Sequence, residues 1–192
     1  MLKICVVALV GALSAAALSP AMAQTAQFKC AKPGTTVEYS DGGRTVWQSQ
    51  EGDACRSITR QPNGTETVSI WYAPTLSARA DAGTGYASQL KVGTLWPLAV
   101  GKKLTGRYDG PSGTAGYQGS WYNTVTIDGY EKVTTKAGTF DAFVVTKQEE
   151  AISHKFRSTL KSWYAPENGV TVKFTYTDSN GGNRAGEAVS IK

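Results

Sequence analysis

The chain holds few residues with which it could perform catalysis. His154 is its single histidine and directly follows Ser153, so a triad with Asp141 is the first candidate for nucleophilic catalysis. No GxSxG, HExxH or phosphate-binding loop motif accompanies these residues. Serine and aspartate are common residue types, and the pattern favours an ordinary surface histidine. We therefore predict no catalytic residue.

Adjacent carboxylates at Glu149 and Glu150 could form an acid–base pair. Neighbouring side chains of a strand point to opposite faces, which keeps the two carboxylates apart, so we expect both to be solvated. Residues that could bind a metal are also scarce. The chain has one histidine, its carboxylates are scattered along the sequence, and its cysteines lack CxxC spacing. The sequence predicts neither a metal site nor a cofactor.

The first 23 residues have the layout of a secretory signal peptide. Lys3 supplies a positive charge, residues 4–18 form an apolar run, and the sequence AMA at 21–23 matches a cleavage site. Cys5 stands at the start of the apolar run, whereas the acylated cysteine of a lipoprotein follows such a run. We expect residues 1–23 to be removed and residues 24–192 to form a single β domain, either periplasmic or secreted.

Removal of this leader would leave two cysteines, Cys30 and Cys55. An even number of cysteines in an exported protein is typical of disulfide bonding, and the sequence predicts a Cys30–Cys55 disulfide. The alternative is a pair of free thiols used for redox or metal chemistry.

Charge and hydropathy restrict the partners of the chain. The formal net charge is +5, and Lys102 and Lys103 form the one adjacent basic pair, which is too sparse for a nucleic-acid-binding arm. No run of 18 apolar residues follows the leader, so we expect no transmembrane segment after signal cleavage. We therefore do not expect nucleic acid as a partner.

Aromatic side chains are the strongest candidates for ligand binding. The dipeptide Trp-Tyr occurs three times, twice within the tetrapeptide WYAP at 71–74 and 163–166. Within a strand, one ring of each pair should face the core and the other should face outward or into a concavity. The rings could be core anchors of strands that end at the following proline, or they could line an apolar groove. The candidate ligand-binding residues are Trp71, Tyr72, Trp96, Trp121, Tyr122, Trp163 and Tyr164.

Alternation of apolar and polar side chains, broken by turn signals, is the main pattern of the chain. Val170, Val172, Phe174 and Tyr176, for example, alternate with polar residues. The pattern predicts an all-β, mainly antiparallel fold, in which a curved meander sheet forms a half-barrel or open barrel. The predicted strands cover residues 36–40, 45–50, 55–60, 65–72, 121–127, 130–135, 140–149, 154–164, 170–176 and 186–191.

Three stretches are predicted to lie outside the strands. Asp128 and Gly129 should form a hairpin turn, because this dipeptide favours tight turns. Residues 73–95 contain Pro74 and several alanines, and we expect a loop there with one short helix around 75–82. Residues 108–119 are Gly-rich and polar and should form an exposed loop.

Three further segments carry a resemblance to known proteins. They are LWPLAVGK at 95–102, VTTKAGTFDAF at 133–143, and WYAP followed by GVTVK at 163–173. Together they resemble an uncharacterised family of bacterial periplasmic or envelope proteins, whose antiparallel half-barrel is like that of the lipoprotein carrier. The resemblance implies a concave apolar face that binds lipid or another hydrophobic molecule, and it transfers no catalytic residue. Lys136 departs from the pattern, since proline is frequent there.

The sequence thus favours an exported, non-enzymatic envelope protein that binds a hydrophobic ligand or lipid moiety on a concave aromatic face. A structural or protein-interaction module of the cell envelope, with every ring in the core, is the alternative. A glycan-active enzyme is the third hypothesis, and it would need two carboxylates about 5–10 Å apart in a cleft.

Overall fold

The structure, a computed structural model, describes residues 24–80, 85–112 and 118–192. The predicted signal peptide, residues 1–23, lies outside the described residues, and its removal stays a prediction. The described helices are α1 (Gly85–Leu90) and a 3₁₀ helix (Val92–Leu95), and Ala80 also has 3₁₀ conformation. The strands are β1 Thr25–Ala26, β2 Thr36–Tyr39, β3 Arg44–Glu51, β4 Ala54–Arg60, β5 Glu66–Ala73, β6 Leu76–Arg79, β7 Leu98–Ala99, β8 Lys103–Pro111, β9 Gln118–Thr135, β10 Gly138–Ala151, β11 Arg157–Ala165, β12 Val170–Asp178 and β13 Asn183–Ile191.

Eleven of these strands form one antiparallel sheet, in the order β6-β5-β4-β3-β2-β13-β12-β11-β10-β9-β8, while β1 pairs with β7. The edge strands β6 and β8 lie at opposite ends of this order, yet Leu76 of β6 and Leu104 of β8 are buried in the same apolar cluster. A flat sheet would hold its edges far apart, because neighbouring strands are about 4.8 Å apart. The sheet is therefore curled, and the predicted all-β half-barrel is confirmed.

Two apolar clusters form the core. The helix-side cluster receives side chains from α1, the 3₁₀ helix and both edges of the sheet, so it lies on the concave face. Its members are Ala73, Leu76, Leu90, Val92, Leu95, Leu98, Leu104, Tyr108, Trp121, Val125, Ile127, Phe143, Val145, Ala151, Phe156 and Tyr164. The disulfide-side cluster packs around Cys55. Its members are Ala31, Val37, Trp47, Cys55, Val133, Ala142, Val144, Trp163, Ala165, Val170, Val172 and Ala188.

The predicted hairpin turn at Asp128 and Gly129 is wrong, because β9 runs through it. Val144 pairs with Gly129 and Val145 pairs with Ile127, which leaves Asp128 as the extra residue of a β-bulge. A bulge bends a strand without ending it, and Asp and Gly favour bulges for the same conformational reasons that they favour turns. The two strands predicted on either side are therefore one long strand.

The short helix predicted around residues 75–82 is wrong for residues 76–79, which form a strand. Pro74 ends β5 as expected, but the chain turns back at once and forms β6, with Leu76 paired to Ala73. Leu76 is fully buried in the helix-side cluster. Strand pairing and this burial outweigh the helix propensity of the alanines. The helix lies later, at Gly85–Leu90, and residues 81–84 lie outside the described residues.

The exposed loop predicted at residues 108–119 is shorter than expected. β8 continues to Pro111 and β9 begins at Gln118, while residues 113–117 lie outside the described part of the chain. Tyr108, at the predicted start of the loop, is 1% exposed and belongs to the helix-side cluster. Its ring packs inward because strand alternation continues through the glycines that suggested a loop.

The predicted disulfide is confirmed. Cys30 and Cys55 are bonded, with 5.4 Å between their Cα atoms. Cys30 precedes β2, whereas Cys55 belongs to β4 and pairs with Trp71 of β5. The bond therefore fixes the amino-terminal segment next to the first WYAP sequence.

Replacing Cys30 and Cys55 together with alanine should lower the free energy of unfolding by about 3 kcal/mol, because the unfolded chain gains the entropy of an open loop. Denaturant unfolding of the oxidised protein and the double variant measures the difference. The reduced wild-type protein is the matched control and should lose the same amount. Equal unfolding midpoints for the oxidised protein and the variant would contradict this prediction.

Candidate functional site

The middle Trp-Tyr pair sends its rings to opposite faces of β9. Trp121 is fully buried in the helix-side cluster, and its Nε1 donates to the carbonyl oxygen of Gly110 at 3.0 Å. Tyr122 is 52% exposed. Trp121 is therefore a core anchor, and Tyr122 lies on the convex face, away from any concave site.

In the second WYAP sequence the tyrosine faces the concave side. Tyr164 is buried with the helix-side cluster, whereas Trp163 belongs to the disulfide-side cluster and donates to Oε1 of Glu131 at 2.6 Å. The ammonium groups of Lys161 and Lys173 lie 5.2 and 4.8 Å from the centre of the Trp163 ring. A ring covered by two lysines is closed to an apolar ligand, so Tyr164 is the inward ring of this pair.

The first WYAP sequence divides its rings between the two clusters. Trp71 packs against the disulfide-side cluster, with its ring centroid 5.8 Å from that of Trp47. Tyr72 packs against the helix-side cluster. Trp96 is partly buried against the same cluster, 4.9 Å from the ring of Phe28. The seven aromatic candidates thus do not form one site, and their role in binding stays a prediction.

One ring from each WYAP sequence, Trp71 and Tyr164, lines a common cleft of about 40 Å³. β5 and β11 are far apart in the sheet order, so their side chains meet across the concave face. Each WYAP sequence therefore contributes one aromatic ring to the same cleft. We call this site the aromatic cleft. Its aromatic and proline lining consists of Phe28, Tyr39, Trp47, Trp71, Pro74 and Tyr164.

The turn after the second WYAP sequence positions one end of the aromatic cleft. Gly169 has a φ of +70°, and a Cβ atom there would lie 2.6 Å from the nitrogen of Ala31. Only glycine permits this approach between the β11–β12 turn and the amino-terminal segment. Lys29 of that segment donates from Nζ to the carbonyl of Glu167 at 2.6 Å. These contacts hold Phe28 beside the cleft.

Main-chain carbonyls hold both phenols of the cleft. Tyr39 donates to the carbonyl of Thr171 at 2.8 Å, and Tyr164 donates to that of Lys29 at 2.9 Å. Burial raises the pKa of Tyr164 to about 12. Burial also raises the pKa of Tyr39, and the carboxylate of Asp41 adds to this effect. Both phenols are therefore neutral donors whose hydroxyls are already in use, and their rings present apolar surface to the cleft.

Alkaline pH should destabilise the fold through these phenols. Tyrosine in an unfolded chain ionises near pH 10, whereas Tyr164 keeps its proton in the folded state up to a pKa of about 12. The stabilisation is therefore complete below about pH 10 and is lost as the pH rises toward the folded pKa. Thermal unfolding midpoints and phenolate absorbance, followed together across this range, test it. Ionisation of all nine tyrosines near pH 10 with native circular dichroism would contradict it.

A strip of half-buried apolar side chains continues from the aromatic cleft along the concave face. The ring of Phe174 lies 5.5 Å from that of Tyr39, which lines the cleft. Tyr176 lies two residues further along β12 and pairs with Leu160 of β11, so the two share a face. The side chains of Leu160, Phe174 and Tyr176 are all half-buried. We call Leu160, Phe174 and Tyr176 the concave strip.

A charged pair is buried on β10 beside the concave strip. Nζ of Lys147 lies 3.2 Å from Oε2 of Glu149, and these side chains are 1% and 0% exposed. Asn123 of β9 stands opposite Glu149 in the register and is 1% exposed. Within the described chain, neither Nδ2 nor Oδ1 of Asn123 has a hydrogen-bond partner. We call Asn123, Lys147 and Glu149 the interior polar group.

The expectation that both adjacent glutamates are solvated is wrong for Glu149. Glu150 is exposed and accepts a hydrogen bond from Arg157 at 2.6 Å. Glu149 points to the other face, where Ser112 donates to its Oε1 and Lys147 neutralises it. Alternation correctly separates the two carboxylates, but it does not reveal that the side chains of Lys147 and Glu149 are buried.

The residues considered for catalysis do not assemble. Nδ1 of His154 lies 3.2 Å from the hydroxyl of Ser153, and both residues are exposed. Asp141 is paired instead with Lys132, at 2.9 Å. Among residues 24–80, 85–112 and 118–192, no group of three His, Cys, Asp or Glu side chains could hold a metal ion.

Over the same described ranges, no helix has the length and apolar character needed to cross a membrane.

A family comparison applies to the carboxyl-terminal half of the sheet. Residues 124–185 match the family model described as DUF3108-like. The match spans Lys147, Glu149 and Tyr164 and overlaps two of the segments that suggested an uncharacterised envelope family, and that resemblance is confirmed. No curated protein matches the chain.

Solved structures similar to this chain include three bacterial proteins. A protein described as exported, with a YmcC-like fold, from Bacteroides fragilis is 15% identical, covers 87% of this chain and 99% of its own, and has a TM-score of 0.42. A protein described as a lipoprotein from Parabacteroides distasonis is 12% identical, with 88% and 100% coverage and a TM-score of 0.43. The hypothetical lipoprotein YmcC from Escherichia coli is 11% identical, with 83% and 88% coverage and a TM-score of 0.48. Similarities at this level assign no site.

The sequence patterns indicated neither the interior polar group nor four of the six aromatic and proline residues that line the aromatic cleft. A signal for Lys147 and Glu149 exists, because they fall at the same strand parity as the buried Phe143 and Val145. Charged residues at the buried parity of a strand indicate a closed ion pair. Tyr39 offered no such signal, since its contact with β12 depends on a pairing of remote strands.

Proposed function

We propose that this chain is an exported, non-enzymatic envelope protein that binds the apolar chain of a lipid or similar molecule on its concave face. The observation that carries the proposal is the aromatic cleft, where Trp71 and Tyr164 meet across the curled sheet. The leader-like first 23 residues and the Cys30–Cys55 disulfide support export. The aromatic and proline lining suits an apolar ligand, because these rings favour contact with hydrocarbon over water.

The volume of the aromatic cleft limits which part of such a ligand can enter it. Pockets that enclose a drug-sized molecule measure roughly 300–1,000 Å³, whereas the aromatic cleft measures about 40 Å³. It therefore admits a narrow group, such as the end of an alkyl chain. The rest of the chain lies along the concave strip, where Leu160, Phe174 and Tyr176 offer half-buried apolar surface that binding would cover.

Two substitutions on β12 test the proposal with a matched control. Thr171 lines the aromatic cleft and pairs with Tyr164, whereas Thr175 pairs with Lys161 and lies on the opposite face. Methyl ω-bromododecanoate, a neutral chain whose bromine quenches tryptophan at short range, should quench the fluorescence of the wild-type protein saturably. Thr171→Phe should raise the Kd about tenfold by filling the cleft, and Thr175→Phe should leave it unchanged.

Two results would overturn this proposal. The first is the absence of saturable quenching in the wild-type protein, with the fold intact by circular dichroism. The second is equal weakening by both substitutions, which would place the bound chain away from the cleft. Either result would favour the alternative in which all the rings are scaffold and the protein acts through a protein partner.

A further inference from the structure

We propose that the interior polar group selects the polar end of the ligand, and that it takes an uncharged group that both donates and accepts hydrogen bonds, a carboxamide above all. This inference rests on the proposed function, because it places the apolar chain of the same ligand along the concave strip. It names the ligand as a neutral amphiphile with a single chain and an amide group.

The net charge of the interior polar group disfavours an ionic head group. Lys147 and Glu149 neutralise each other at 3.2 Å, with side chains 1% and 0% exposed. A ligand carboxylate would bring a second negative charge beside Glu149, and a ligand ammonium would bring a second positive charge beside Lys147. A charge buried without its own partner carries a large desolvation penalty. The site therefore disfavours both kinds of ion.

The side chain of Asn123 favours a polar head group, because its hydrogen bonds are unmet. Asn123 is 1% exposed, and its carboxamide has a donor, Nδ2, and an acceptor, Oδ1, that lack partners in the described chain. Buried polar groups are nearly always satisfied, so an open donor and an open acceptor on one buried side chain indicate a polar occupant beside Asn123.

A carboxamide complements these groups better than other neutral head groups do. Its carbonyl oxygen accepts from Nδ2 of Asn123 or from Nζ of Lys147, and its N–H donates to Oδ1 of Asn123. An ester accepts but cannot donate, which leaves Oδ1 unsatisfied. A carboxylate has the same defect and adds a charge. An alkane satisfies no polar atom of the site, so the expected order of affinity is amide before ester and carboxylate.

The concave strip gives such a ligand access to the interior polar group. Lys147 pairs across the register with Leu160, and Leu160 pairs with Tyr176, both of them half-buried. Neighbouring strands lie about 4.8 Å apart, so the buried lysine is one strand away from partly open surface. Leu160 and Tyr164 are four residues apart on β11, or about 13 Å. A single extended chain therefore joins the interior polar group to the aromatic cleft.

The rival explanation is that ordered water satisfies the orphan atoms of Asn123. Water bridges buried polar groups in many proteins, and it would fill this site whatever the head group of a ligand bound elsewhere. The two explanations differ in one measurable respect. If the head group of the ligand contacts Asn123, the affinity of the ligand depends on the chemistry of that head group. If water contacts Asn123, the affinity does not depend on it.

Competition between three probes of equal chain length decides the matter. Dodecanamide, methyl dodecanoate and dodecanoate should each displace methyl ω-bromododecanoate from the wild-type protein, and dodecanamide should do so with a Kd about tenfold lower than the others. Asn123→Leu should abolish this preference and raise the thermal unfolding midpoint of the free protein, because an unsatisfied buried amide is removed. Thr124→Leu, next to it and half-buried on the convex face, should keep the preference.

The outcomes separate this inference from the proposed function. Equal displacement by all three probes would overturn the inference and leave the proposed function standing. No saturable binding of the brominated probe, and none of dodecanamide by calorimetry, would overturn both. If Asn123→Leu does not fold, the comparison of the three probes on the wild-type protein still decides, since it needs no variant.

Discussion

Replacing Lys147 with methionine should lower the free energy of unfolding by about 3–5 kcal/mol, because the carboxylate of Glu149 would remain buried without its counter-ion. The two side chains are 1% and 0% exposed and lie 3.2 Å apart. A charge in such a place is destabilising unless it is paired. Urea unfolding of the variant, followed by circular dichroism, measures the loss.

A double variant tests whether the loss comes from the charge that Lys147 no longer neutralises. Lys147→Met with Glu149→Leu removes both charges from the helix-side interior, and its free energy of unfolding should return to within about 1 kcal/mol of the wild-type value or exceed it. Lys132→Met is the matched control, because its 2.9 Å pair with Asp141 is 70% and 47% exposed and should contribute less than about 1 kcal/mol. If the double variant were as unstable as the single one, the account of this pair would be wrong.

Replacing Trp121 with alanine should cost about 3–5 kcal/mol of stability, the usual range for a fully buried tryptophan. The ring is 0% exposed in the helix-side cluster, packs edge-on against Phe156 at 6.0 Å, and satisfies the carbonyl of Gly110. Truncation therefore creates a cavity and removes the Trp121 donor from a partly buried carbonyl. Thermal or urea unfolding measures the effect.

Tyr122 provides the matched control for Trp121, since it is the next residue on the same strand. It is 52% exposed on the convex face, so Tyr122→Ala should change the free energy of unfolding by no more than about 0.5 kcal/mol. Similar losses for the two variants would contradict the assignment of the two rings to opposite faces.

Local patterns in the sequence predict the strands well but do not separate turns from bulges. The alternation around Val170 and Val172 predicts β12, and both side chains are fully buried. Asp128 and Gly129 fit a turn and a bulge equally well, and the pairing of β9 with a long β10 decides for the bulge. The helix expected at 75–82 fails for a related reason, because Leu76 gains more from tertiary burial than the alanines gain from helix formation.

Candidate sites depend on topology that one sequence does not contain. Trp71 and Tyr164 stand out as members of repeated tetrapeptides, and both line the aromatic cleft. The sequence around Trp71 does not distinguish it from Trp163, because each begins a WYAP sequence. Only the structure shows that the ring of Trp163 is covered by Lys161 and Lys173. The curl of the sheet decides which ring faces the cleft, and a β-bulge at Val172 brings Thr171 to the same face as Tyr164; both depend on pairing between strands.

The central claim is that the concave face holds an apolar chain with its end in the aromatic cleft. Photolabelling with a dodecanamide that carries a diazirine at its methyl end tests this claim most directly, with the labelled residues identified by mass spectrometry. The account predicts labels on Trp47, Trp71 and Tyr164, and loss of these labels in Thr171→Phe. Labels on convex residues such as Tyr122, or none at a saturating probe concentration, would contradict it.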